Sequence, residues 1–89
     1  IIESKNDGHA GEVETSAMLF LRSDLVRRKA KAKANYPKRP KYLVLRSMKK
    51  LLGSGVMGDP TRASRAKGEK LVEMAVSGLM EAMKEIESY

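Results

Sequence analysis

Apolar side chains recur at three- and four-residue spacing near the end of the chain: Leu71, Ala75, Leu79, Ala82, Met83 and Ile86. Val72, Val76 and Met80 widen the stripe, while Glu69, Glu73, Glu81, Lys84 and Glu85 lie mostly off it. This pattern predicts one amphipathic helix of about six turns, at roughly 3.6 residues per turn. Gly78 falls inside it, and a glycine there costs roughly 1 kcal/mol relative to alanine. Close packing against a neighbour would account for its presence. A Met-rich stripe of this kind reads more readily as core than as a binding groove.

A second helix is predicted from Glu12 to about Arg22. Two glutamates occupy its first turn, where negative charge meets the positive end of the helix dipole. Ala17-Met18-Leu19-Phe20-Leu21 then follows with no polar face. Such a segment belongs inside a larger core. Ahead of it, Asn6-Asp7-Gly8 is turn chemistry. Ile1 to Lys5 reads as the last turn of a preceding helix. The chain begins on Ile rather than Met, so it is taken as part of a longer protein.

The middle is less regular. Ser23-Asp24 can cap a short turn through Leu25-Val26. Tyr36-Pro37-Lys38-Arg39-Pro40 favours extended backbone. Tyr42 to Arg46 suits a short strand, and Ser47 to Leu52 one or two helical turns closed by Gly53. Gly53 to Pro60 is a glycine-rich loop, but it lacks the Gly-Lys-Ser/Thr ending of a nucleotide-binding loop. Asp59-Pro60 and Ser64 are two helix-start signals.

Composition narrows the picture. Eighty-nine residues suffice for one small domain. Cysteine is absent, which excludes disulfides and thiolate metal sites and fits a reducing cytoplasm. No apolar run is long enough for a transmembrane helix, so no membrane association is expected. The net charge of +7 is concentrated: residues 22–41 carry +8, leaving −1 elsewhere. That segment reads as a solvated connection. Its alternative is a basic interaction module for nucleic acid, which the scarcity of nearby aromatics, Tyr36 and Tyr42, makes the weaker reading.

Candidate chemistry centres on His9, the only histidine. Imidazole relays protons near neutral pH, and Glu12 and Glu14 follow within five residues. A turn before His9 and a helix after Gly11 place the ring at a helix entrance, beside free backbone N–H groups. The plainer reading is an exposed loop histidine with two dipole-partner glutamates. A catalytic metal site commonly needs three or more protein ligands, so these residues cannot complete one alone.

Asp7-Gly8-His9-Ala10-Gly11-Glu12-Val13-Glu14-Thr15-Ser16-Ala17-Met18-Leu19 resembles the His-Ala/Gly-Gly-x-x-Glu-Thr-Ser signature of the creatininase (creatinine amidohydrolase) family. Gly55 to Pro60 and Ala63 to Leu71 continue the resemblance in the family's order, at its C-terminal end. The resemblance implies an α/β fold. Residues 1–89 would be the mostly helical C-terminal part of a single Rossmann-like α/β sandwich, without the N-terminal metal-binding part. It implies hydrolysis of a C–N bond in a cyclic amide or related amide, using two divalent metal ions, Zn or Mn. His9 would be the catalytic proton-transfer residue and not a metal ligand. Glu14 would support the catalytic loop, and Asn6 and Asp7 would contact substrate. No metal ligand is expected within this chain, and the isolated segment is expected to be inactive. The implied partners are a small amide substrate, the remainder of its own protein and further copies in a homo-hexamer. Lys5 and Asn6 stand where creatininase itself has a Trp-Asp pair, so creatinine is not the expected substrate.

Overall fold

The computed structural model describes residues 2–5, 7–27, 33–37 and 53–89. The strand expected at Tyr42 to Arg46, the turns at Ser47 to Leu52, most of the basic segment and Asn6 lie outside the described residues. The described part is mostly helical, built on two α-helices with little strand. Helix α1 spans Glu12–Leu21 and helix α2 spans Arg65–Glu87. Both match the expected segments. Between them, among the described residues, come two short 3-10 turns, Ser23–Leu25 and Pro60–Arg62. None of the described helices is long and apolar enough to cross a membrane.

The two helix-start signals ahead of α2 are each used, for different elements. Asp59 caps the Pro60–Arg62 turn by accepting from the Thr61 N–H, and Pro60 supplies the fixed backbone angle that begins it. Ser64 then caps α2, its hydroxyl accepting from the Lys67 N–H. Ser64 is held in turn by α1, because its own N–H donates to the Ser16 hydroxyl at 3.1 Å.

The helices cross at Ser16 and Gly68, both buried. A methyl group on Gly68 would collide with the backbone carbonyl of Ser16 and meet Phe20 Cβ at 3.0 Å. Gly68 therefore carries the close approach expected of Gly78. A Cβ on Gly78 would meet nothing within 4 Å.

The buried apolar side chains among the described residues are Leu19, Val56 and Met57. That is a small core. Met18 and Leu21 are exposed, so the all-apolar end of α1 is only partly covered. The amphipathic stripe of α2 fares similarly. Leu71 and Val72 are half-buried, whereas Leu79, Met83 and Ile86 are 66%, 61% and 74% exposed.

The expected helical turn at the start is not formed. Residues 2–4 have no helical structure. Instead of continuing a helix, the Glu3 and Ser4 N–H groups turn toward the Glu12 carboxylate. At the other end of α1, the Asp24 carboxylate pairs with the Arg22 guanidinium at 2.8 Å rather than capping the following turn.

Candidate active site at the entrance to α1

His9 sits on a turn fastened from both sides. Its backbone forms an antiparallel bridge with Met57: the His9 N–H donates to the Met57 carbonyl at 3.0 Å, and the Met57 N–H donates back at 2.7 Å. The Gly8 N–H shares the Met57 carbonyl. One residue on, Gly58 bridges to Asn35 in the same manner, and the Asn35 side-chain amide donates to the Val56 carbonyl. The glycine-rich loop is thus a seat for the histidine turn. Gly58 has φ +132°, which favours glycine.

Ala10 then reverses the chain into α1 with φ +47°. Left-handed backbone is uncommon for residues other than glycine and costs on the order of 1–3 kcal/mol. Glu14 offsets this cost, because its Oε2 accepts from the Ala10 N–H at 2.5 Å. The same oxygen lies 3.9 Å from His9 Nδ1. Both side chains are more than half exposed. A solvent-reachable imidazole beside a carboxylate, on a backbone turn pinned by hydrogen bonds, is an arrangement for moving a proton.

Gly11 has no side chain to cap α1. Asp7 does so from four residues earlier, its Oδ1 accepting from the Glu12 N–H at 2.6 Å and its Oδ2 from the Val13 N–H at 3.2 Å. Both carboxylate oxygens of Asp7 thus face the helix.

Glu12 has a different fate from Glu14, although two residues separate them. Its side chain is fully buried. It accepts from the Glu3 and Ser4 N–H groups, from the Ser4 hydroxyl at 2.8 Å and from the Lys67 ammonium at 3.1 Å. Burial by itself would raise its pKa. The donors from Glu3, Ser4 and Lys67 outweigh that and hold it at about 2, against an ordinary 4.5. Burial likewise works to lower the Lys67 pKa, but Glu12 and Glu3 raise it. Arg62 ties the edge of the cluster, reaching Glu3 at 3.0 Å and Asp59 at 3.1 Å.

Sequence reading missed this cluster. Its signal was present only as Lys67-Gly68 beside the helix cap and as a glutamate at the first position of α1. Nothing in local spacing pairs Glu12 with Lys67 across 55 residues.

These carboxylates do not suit a metal ion. Among the described residues no three His, Asp or Glu side chains come together as ligands. Glu12 is enclosed by its donors, and Asp7 is engaged by the α1 backbone.

The site is thus a pinned histidine turn at a helix entrance, seated on a glycine-rich loop. Comparison with known families then gives the kinship: the model for creatininase, described as creatinine amidohydrolase, matches residues 2–83. The chain belongs to the creatininase family. Neither the curated proteins nor the solved structures compared with it gave a match. Family membership points to an amidohydrolase-type hydrolase, of a family that is generally metal-dependent.

Proposed function

We propose that residues 1–89 form the C-terminal part of a single creatininase-like domain, an α/β sandwich of the Rossmann-like kind. In this reading the chain serves hydrolysis of a C–N bond in a cyclic amide or related amide, with His9 as the proton-transfer residue. The observation that carries it is the His9–Ala10–Glu14 turn. One Glu14 oxygen both holds the Ala10 backbone and lies 3.9 Å from His9 Nδ1.

The chemistry follows from that placement. A small rotation of the ring brings Nδ1–H onto Glu14, fixing the tautomer and leaving Nε2 to exchange protons with the reactants. Water oxygen bonds to the amide carbon, and the C–N bond breaks with its electron pair passing to nitrogen. One proton from the water reaches that nitrogen by way of His9, so one water is consumed and no oxidant is needed. Substrate contact by Asn6 belongs to this reading. Two divalent ions, Zn or Mn, belong to it too, with ligands from the remainder of the protein and not from this chain.

The uncovered apolar face of α2 supports a larger assembly, made of the remainder of the protein and further copies as in a homo-hexamer. The lack of cysteine supports a cytoplasmic setting. The basic-module alternative gains no specific observation, since Arg22 is committed to Asp24.

The test is His9→Ala in the full-length protein, assayed against a panel of cyclic amides alongside metal analysis. Turnover is expected to vanish with metal content near that of the wild type. Loss of metal with residual turnover would overturn the assignment.

A further inference from the structure

We propose that Asp7 is a positioning residue that acts through His9, rather than a group that touches substrate. The inference rests on reading His9 as the proton-transfer residue. Its argument is geometric and begins with two glycines. A Cβ at Gly11 would collide with Asp7 Oδ1, and one at Gly58 would lie 2.5 Å from the same atom and 3.2 Å from Asp7 Cα. The Asp7 carboxylate therefore occupies a slot that exists because both neighbours lack side chains. From this slot it reaches the first two N–H groups of α1.

The two halves of the site meet at this carboxylate. On one side, Met57 and Gly58 seat the His9 backbone. On the other, the first turn of α1 carries Glu14, which faces the His9 ring. Asp7 belongs by chain to the histidine turn and by hydrogen bond to α1. Negative charge is favoured at a helix N-terminus, so the carboxylate draws α1 toward the turn and sets the distance between Glu14 and His9. Without Asp7, Gly11 offers α1 no side-chain cap, and the first turn can move away from His9 while the rest of α1 stays packed on α2.

The experiment uses NMR on the full chain, where a single histidine makes the imidazole signals unambiguous. In the wild type, His9 ring protons are expected to show cross-peaks to the Glu14 side chain, given the 3.9 Å between Nδ1 and Oε2. Asp7→Ala is expected to lose them while helical circular dichroism persists. Asp7→Asn keeps one carbonyl acceptor and is expected to retain them at reduced intensity. Ser64→Ala, which removes the α2 cap away from the turn, is expected to lower Tm and leave the cross-peaks intact.

Wild-type cross-peaks in Asp7→Ala, or their equal loss in Ser64→Ala, would overturn the positioning role. Where Asp7→Ala does not fold, unchanged cross-peaks in Asp7→Asn do the same. Turnover of the full-length protein separates the two hypotheses. Full activity of His9→Ala defeats the reading of His9 and leaves the geometry standing. A rise in KM at constant kcat in Asp7→Asn assigns Asp7 to substrate and defeats the inference. A fall in kcat at constant KM supports it.

Discussion

The two halves of α2 share one helix and one apolar stripe but live in different surroundings. The N-terminal half is capped by Ser64, pressed onto Ser16 at Gly68 and tied to the buried Glu12 through Lys67. From Glu73 onward every residue is exposed, including Leu79, Met83 and Ile86. Periodicity reports which face of a helix is apolar; it does not report what covers that face. In the first half the close contact is made by a glycine and a serine, which carry little hydrophobic signal. In the second half the hydrophobic signal is strong and no described residue covers it.

The largest effect should come from breaking the buried end. Glu12→Ala leaves the Lys67 ammonium and the Ser4 hydroxyl without their acceptor. Removing one partner of a buried ion pair costs about 3–5 kcal/mol. Denaturant unfolding of the variant measures this directly, and a loss no larger than that of a surface change would remove the contrast between the halves. The same carboxylate gives a pH signature. Its folded pKa lies below its ordinary one, so its stabilisation is complete above about pH 4.5 and is lost as pH falls toward 2. Glu12→Gln should flatten Tm across that window, although it also weakens the protein at neutral pH.

Two glycines in α2 allow a sharper test, because the same substitution is expected to act with opposite signs. Gly68→Ala drives a methyl group into the Ser16 backbone, and overpacking of this kind typically costs about 1–3 kcal/mol. Gly78→Ala meets open space and should stabilise by roughly 1 kcal/mol through helix propensity. Thermal melts of both variants decide it. Destabilisation at Gly78 would show that a neighbour approaches there after all.

Local signals made both helices legible in the sequence, along with the Ser64 cap and the turn carrying His9. Asp59-Pro60 also read correctly as a start, although of a short 3-10 turn. These features depend on residues within a few positions of one another. The Glu12–Lys67 pair, the Gly68–Ser16 contact and the Met57 seat for His9 join distant segments, and no local pattern encodes which pairs will meet. Ile2 to Lys5 show the cost of reading locally. Their side chains look helical, but Glu12, a distant carboxylate with no partner of its own in α1, competes for the Glu3 and Ser4 N–H groups and wins. The cap of α1 was hidden for a related reason, since a glycine at the helix start leaves it to be supplied by Asp7 from elsewhere.

The smallest effect belongs to the exposed half. Leu79→Glu and Met83→Glu replace apolar groups that are 66% and 61% exposed. Surface changes away from special features usually stay within about 0.5 kcal/mol, so the melting curve of the chain alone should barely move. In the full-length assembly the outcome should differ, because a covered face would then have to bury two carboxylates without partners. A large Tm loss there, absent from the chain alone, would identify this stripe as the surface that the rest of the protein covers. Equal and negligible effects in both settings would mean that α2 ends in solvent, and the contrast between its halves would be a property of the finished molecule.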